Sequence, residues 1–251
     1  MPIMSDEIYD RLEDQLSTLD RIVGMQVDEK SARWSHYYPM YSLQKVYDDE
    51  AGPDYKKQPV VVSPKLDGAA VSLQYIQGRL SLALTRGDGK KGLDITDNIR
   101  HIVPINLLPA MGKEILQITG EVVAPATIKN SRNYAAGALS LHDSKEFRQR
   151  NLTFIAYGVQ PYPTKDFIDD MTFLNDCGFE TIIDSDYPQF PHDGEVWRVI
   201  ANAEFEKLGH TAHHPRGAFA KKVRQEGVVT KLLDVVWQVG KSGNVSPVGI
   251  L

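Results

Sequence analysis

Lys65-Leu66-Asp67-Gly68 follows the β-branched run Val60-Val61-Val62, which presents an amine at a strand end with a carboxylate two residues on. Alone, such a tetrad is common surface chemistry in a turn, and it gains weight from its company. Thr119-Gly120-Glu121-Val122-Val123 sets a carboxylate inside an apolar strand. An ionised carboxylate is costly to bury without partners, so Glu121 is expected to face a cleft or a cation. Asp193-Gly194 opens another strand that carries Arg198, and Lys221-Lys222 closes the apolar run Ala218-Phe219-Ala220. The chemistry at stake is that of a lysine amine gathered with carboxylates and further cations.

The elements that must gather these residues read mostly as strands. Val71, Leu73 and Tyr75 alternate with polar or small residues, Gln77-Gly78 makes a two-residue turn, and Leu80, Leu82 and Leu84 alternate back, a β-hairpin pattern. Further strands fit Ile115 to Val123, Leu152 to Val159, Glu195 to Ile200 and Val235 to Val239. Helices are expected at Thr127 to Leu139 and at Thr164 to Cys177, with Thr164 as N-cap and Gly178 as the stop. Ile8, Leu12, Leu16, Leu19 and Ile22 recur at helical spacing, so Asp6 to about Ile22 reads as an amphipathic helix. The pattern predicts an α+β fold of antiparallel sheets flanked by helices. Gly87, Gly89 and Gly92 spell G-x-G-x-x-G, but the residues after them are polar and the strand before them is a hairpin arm. A glycine turn is therefore expected rather than a dinucleotide-binding crossover.

Composition sets the outer limits. The 251 residues carry 28 Lys and Arg against 33 Asp and Glu, a formal charge of −5 that argues against strong autonomous binding to nucleic acid. The balance is uneven: Met1 to Lys56 holds twelve acids and six bases, whereas Lys207 to Lys241 holds seven bases and two acids and could face a polyanion. Cys177 is the single cysteine, so no internal disulfide or cysteine-based zinc site is available. No run approaches the ~18 apolar residues of a membrane span, and acids occupy the start where a signal peptide needs bases. A cytoplasmic location without membrane partners is the expectation. His210, His213 and His214 read as a loop rather than a metal site.

Taken in order, these motifs resemble the adenylation (nucleotidyltransferase) domain of NAD-dependent DNA ligases. Ser5-Asp6-Glu7-Ile8-Tyr9-Asp10-Arg11-Leu12 is similar to that family's SD-x-x-YD-x-L segment, and Pro39-Met40-Tyr41-Ser42-Leu43 to its PM-x-SL. Lys65 to Ser72 resembles the nucleotidyl-lysine motif. Thr85-Arg86-Gly87-Asp88-Gly89 with Gly92, Gly120-Glu121-Val122, Ser131-Arg132-Asn133 with Ala135-Ala136-Gly137, and Tyr157-Gly158-Val159 resemble the central blocks. Asp193-Gly194, Ala220-Lys221-Lys222 and Gln238 to Gly243 with Pro247-Val248 resemble the last ones.

The resemblance implies a covalent nucleotidyltransferase fold, ATP-grasp-like, with residues 1–30 a partial helical segment for nicotinamide mononucleotide (NMN) and residues 31–251 the adenylation domain. It implies that Lys65 attacks NAD, releases NMN and holds AMP for the 5′ phosphate of nicked double-stranded DNA, with Asp67 and Lys222 as catalytic companions. Asp6, Tyr9, Asp10, Ser42, Leu43, Ser63, Leu66, Arg86, Glu121, Tyr157, Arg198 and Lys222 would bind the nucleotide, Arg132 the DNA, and Asp193 a magnesium or other divalent ion. Ser63 stands where the family usually has Glu, Arg198 where it usually has Lys, and Ser140 where it usually has Arg. Oligonucleotide-binding (OB), zinc and helix-hairpin-helix domains would come from a second chain or a downstream segment, so sealing by these residues alone is expected to be poor. The rivals are an ATP-dependent nucleotidyltransferase and a non-catalytic adaptor or nucleic-acid-binding subunit that keeps the fold.

Overall fold

The computed structural model of the protein describes residues 33–55, 58–107, 115–223, 229–239 and 245–250. The amphipathic helix read over Asp6 to Ile22, with Asp6, Tyr9 and Asp10, lies outside the described residues, as does the 240–243 stretch. In chain order the strands are β1 (Arg33–Ser35), β2 (Gln44–Tyr47), β3 (Val60–Leu66), β4 (Ala69–Ile76), β5 (Arg79–Thr85), β6 (Lys91–Leu93), β7 (Ile115–Val123), β8 (Thr153–Gln160), β9 (Glu180–Thr181), β10 (His192–Val199), β11 (Ala218–Lys222), β12 (Asp234–Val239) and β13 (Val245–Ile250). The helices are short: α1 (Thr96–Ile99), α2 (Ser131–Leu139), α3 (Ser144–Gln149), α4 (Phe167–Asp176) and α5 (Asn202–Leu208).

Two sheets carry the molecule. The first runs β5-β4-β7-β8-β9, antiparallel but for the β8–β9 pair. Val71, Leu73 and Tyr75 of β4 and Ile118 and Val122 of β7 are fully buried with Ile99, Leu139, Phe147, Met171 and Leu174 from the helices, one hydrophobic core. The second sheet runs β2-β11-β10-β3, with β2 parallel to β11 and the rest antiparallel. β3 is an edge strand and carries Pro64 opposite Glu195. Ile200 N donates to Pro59 O at 3.0 Å, so the bonds of β3 toward β10 fall at 59, 61 and 63, and the ring nitrogen of Pro64 faces the open edge. β1 pairs with β6, and β12 with β13, whose apolar side chains are exposed, Trp237 by 68%.

The β4–β5 hairpin turns at Gln77 and Gly78, both with positive φ (48° and 76°), as a two-residue turn of this kind requires. Two helix boundaries differ from the sequence reading. α2 begins at Ser131 rather than Thr127 because Asn130 adopts a left-handed conformation, φ 54°, which cannot continue from a preceding turn of helix. The cap of α4 is Asp166, whose carboxylate accepts from Ile168 N and Asp169 N, while Thr164 bonds Asp170 instead. The G-x-G-x-x-G segment is a turn between β5 and β6, where a Cβ on Gly92 would overlap the Thr85 carbonyl oxygen.

Candidate active site

Lys65 sits on β3, Asp193 on β10 and Lys222 on β11, three neighbouring strands of one sheet. The pairing of β10 with β3 shifts between His192 and Glu195, and Gly194, at φ 149°, lets the Lys221 carbonyl approach where a Cβ would collide. That irregularity brings Asp193 between the two lysines. Lys222 Nζ donates to Asp193 Oδ2 in a short charge-assisted bond, and Lys65 Nζ lies 3.2 Å from Oδ1. Oδ1 is sealed from solvent and lacks a well-aligned hydrogen bond. Burial opposes ionisation of Asp193, but the bond from Lys222 and the charge of Lys65 outweigh it and hold the carboxyl below its ordinary range.

Past Lys65 the chain turns through Asp67 and Gly68 into β4, which carries the site from one sheet to the other. Asp67 pairs with Arg132 at the start of α2, NH1 to Oδ1 3.3 Å, and Gly68 N donates to Glu121 Oε1 at 3.2 Å. Gly68 is required there, since a Cβ would strike the Val122 carbonyl. Burial pushes the Glu121 carboxyl up to about 7, against the opposing charges of Lys65 and Arg132 and the Gly68 bond. Tyr157 on β8 feels both Glu121 and Arg86, with burial raising its hydroxyl well above the ordinary phenol range. Arg86 opens the glycine turn with its side chain exposed. Lys65, Asp67, Arg132, Glu121, Asp193, Lys222, Tyr157 and Arg86 thus form one chain of neighbours across both sheets.

Other sequence candidates sit differently. Ser63 shares the face of β3 with Lys65 and is buried, and Leu66 turns its side chain into the core. Ser42 N donates to His213 O at 3.1 Å and Tyr41 stacks on His210 at 4.6 Å, so the PM-x-SL segment braces the histidine loop, with Leu43 half-buried. Arg198 lies on the Lys65 face by register, yet its guanidinium is committed elsewhere. It donates to Val199 O and Asn202 Oδ1, both at 2.9 Å, and stacks 4.4 Å from the Phe167 ring and 4.3 Å from that of Phe205. The expected nucleotide contact from Arg198 does not follow from these bonds.

Among the described residues no group of three His, Cys, Asp or Glu side chains is placed to hold a metal ion, the histidine loop included. Asp193 lies between two ammonium groups, so the described residues around it offer no cage for a resident ion. Among the described residues no helix is long and apolar enough to cross a membrane.

The sequence reading missed a polar row under the glycine turn. His36 Nδ1 lies 2.7 Å from Ser72 Oγ and Nε2 3.1 Å from the Arg86 carbonyl. Gln74 donates to Ser35 O, and Gln117 both accepts from Tyr38 N and donates to Tyr38 O. The legible signal was polar residues at every second position of apolar strands: Ser72 and Gln74 in β4, Gln117 and Thr119 in β7.

Residues 29–128 match the model of the NAD-dependent DNA ligase adenylation domain. Over its whole length the chain is similar to proteins named DNA ligase from Aquifex aeolicus (30% identical, covering 44% of that protein), Campylobacter concisus (33%, covering 47%) and Psychrobacter arcticus (32%, covering 46%). The chain spans less than half the length of these relatives.

Proposed function

We propose that this chain, which carries an adenylation domain of the NAD-dependent DNA ligase family, uses Lys65 to take AMP from NAD and pass it to the 5′ phosphate of a DNA nick. The observation that carries the reading is the placement of Lys65 and Lys222 on either side of Asp193 across three adjacent strands. The ammonium groups are shared by one carboxylate and hang on flexible stems, so both can turn to a phosphate. In the nucleotide-bound state Lys222 neutralises the negative charge on the α-phosphate.

Lys65 Nζ then attacks the α-phosphorus of NAD, here a consumed substrate. A P–N bond forms, the pyrophosphate P–O bond breaks, and NMN departs with the bridging oxygen and its electron pair. The proton shed by Nζ passes toward solvent by way of Asp193, 3.2 Å away and part-exposed. In the second step an oxygen of the DNA 5′ phosphate displaces Nζ, which recovers a proton as the P–N bond breaks. Glu121 and Tyr157, with Arg86 at the rim, bind the nucleoside and phosphates, and Ser63 and the Leu66 backbone line the same side. Arg132 lets go of Asp67 to meet DNA phosphate. A divalent ion would arrive with the substrate's phosphates, with Asp193 as its protein carboxylate, and would supply Lewis-acid charge stabilisation.

The same reading assigns residues 1–30 to an NMN-binding helical segment, residues 31–251 to a covalent nucleotidyltransferase fold, and Asp6, Tyr9, Asp10, Ser42 and Leu43 to recognition of the NMN half. It leaves DNA clamping to OB, zinc and helix-hairpin-helix segments of the kind that the longer relatives have room for. Intact mass after incubation with NAD, and separately with ATP, tests it. A gain of one AMP moiety with NAD alone is expected. A gain with ATP alone would establish the ATP-dependent rival, and no gain with either would leave an adaptor that keeps the fold.

A further inference from the structure

Residues 33–40 lie as a strap across the polar side of β4 and β7. β1 pairs Trp34 with Gly92, His36 N donates to Lys90 O at 2.9 Å, and Met40 N donates to Gly89 O at 2.8 Å. Below, the strap is latched by buried side chains: Gln74 to Ser35 O at 3.1 Å, Ser72 to His36 at 2.7 Å, and Gln117 to both polar groups of Tyr38 at 2.9 and 2.7 Å. Buried polar groups with every partner supplied fix one geometry, whereas half-satisfied ones destabilise it. The strap is therefore a rigid clamp on the 86–92 turn.

We infer that His36 is a positioning residue for the reaction proposed above, holding the Arg86 backbone so that the exposed Arg86 side chain is aimed at the nucleotide beside Glu121 and Tyr157. The inference rests on that functional reading. A carbonyl oxygen can only accept, so Nε2 carries the imidazole proton and donates to Arg86 O at 3.1 Å, while Nδ1 accepts from the Ser72 hydroxyl. Burial lowers the pKa of His36 against the opposing pulls of the Arg86 carbonyl and Asp88, which favours this neutral form. Arg86 is pinned by three bonds: its N donates to Ala70 O at 3.0 Å, and its O accepts from Gly89 N at 2.9 Å and from His36. The Gly89 bond is local to the turn. The imidazole ties the turn to residues fifty positions earlier, and Ser72 ties the imidazole to the sheet that carries Glu121. An exposed arginine on so fixed a base loses little further freedom when it meets a phosphate, which is how preorganisation raises affinity.

The test uses the full chain and reads initial rates of adduct formation against NAD concentration for His36→Ala, His36→Gln, Ser72→Ala, Arg86→Ala and the His36/Arg86 double variant. Amide hydrogen exchange over residues 86–92, β4 and β7 is read without substrate. A positioning role predicts that His36→Ala raises KM for NAD about tenfold with kcat within about threefold, and that His36→Gln, whose amide reaches the same carbonyl, restores most of it. In the Arg86→Ala background, His36→Ala should cost less than about twofold, because coupled residues are not additive. Exchange should rise in the turn and not in β4 or β7. Ser72→Ala should shift KM the same way by about threefold, which keeps the test alive if His36→Ala fails to fold. Full additivity of the two losses, or exchange rising in β4 and β7 as well as in the turn, overturns the assignment while leaving the Lys65 chemistry intact. No adduct from the parent chain overturns both together.

Discussion

Asp193 and Asp170 are two carboxylates held beside positive charge, and they are satisfied in opposite ways. Asp170 is 1% exposed and takes three bonds from short, neutral donors: Thr164 N at 3.0 Å, Thr164 Oγ1 at 2.7 Å and Asn202 Nδ2 at 2.6 Å. Asn202 in turn accepts from Arg198, whose guanidinium lies against the rings of Phe167 and Phe205. Every group in that cluster is locked by its own packing. Asp193 is 22% exposed along its side chain and is met by two lysines with flexible stems, one of them poorly aligned. Saturation by rigid neutral donors builds structure, and charge shared among movable ammonium groups can be redirected to an incoming anion. The contrast also explains why an arginine on the Lys65 face serves the scaffold.

The contrast can be broken most sharply at Lys65. Lys65→Ala is expected to remove the AMP adduct entirely, read by intact mass, while thermal melting moves by no more than about 2 °C, since the amine is part-exposed and outside the core. An undiminished adduct would place the nucleophile elsewhere. Asp170→Ala should do the reverse. Stripping three bonds from buried donors costs about 4 kcal/mol, seen as a lower urea midpoint at unchanged slope, with adduct formation by the folded protein within about twofold of the parent. Loss of the adduct at unaltered stability would merge the two clusters into one functional unit.

Glu121 sharpens the comparison through pH. Its carboxyl is pushed up to about 7 from an ordinary 4.5, so the folded state holds this proton more tightly than the unfolded chain does. The associated stability is complete below about pH 4.5 and is lost as pH rises through 7, an effect on the order of 3 kcal/mol. Glu121→Gln should flatten stability against pH across that window in chemical denaturation. An unchanged profile would show that Lys65 and Arg132 already neutralise the carboxylate.

Much of the site was readable because catalytic residue types interrupt patterns that otherwise describe strands. Glu121 breaks an apolar run, Lys65 follows a β-branched one and Asp193 opens one, and the Gln77-Gly78 turn marked the hairpin through its demand for positive φ. Short elements were not readable. β1, β2, β6 and β9 span two to four residues, too few for a period to show, and their pairing depends on partners distant in sequence. Thr164 and Asp166 are both competent caps two residues apart, and the choice between them was made by Asp170, which engages Thr164 from within the helix. Arg198 shows a related limit: register gives the face of a strand, but the rings its guanidinium lies against are on α4 and α5.

The proline beside Lys65 has a colloidal consequence. β3 is an edge strand whose run Val60-Val61-Val62 is β-branched, with Val62 43% exposed, the composition of a segment that invites another chain to zip alongside. Pro64 removes the outward donor next in line on that edge, so an intruding strand cannot continue its ladder past residue 64. The strand end that presents Lys65 is thereby guarded against cross-β growth by its immediate neighbour. A chain bearing Pro64→Val should become more prone to edge-to-edge aggregation, with the growing ladder free to run on past Lys65.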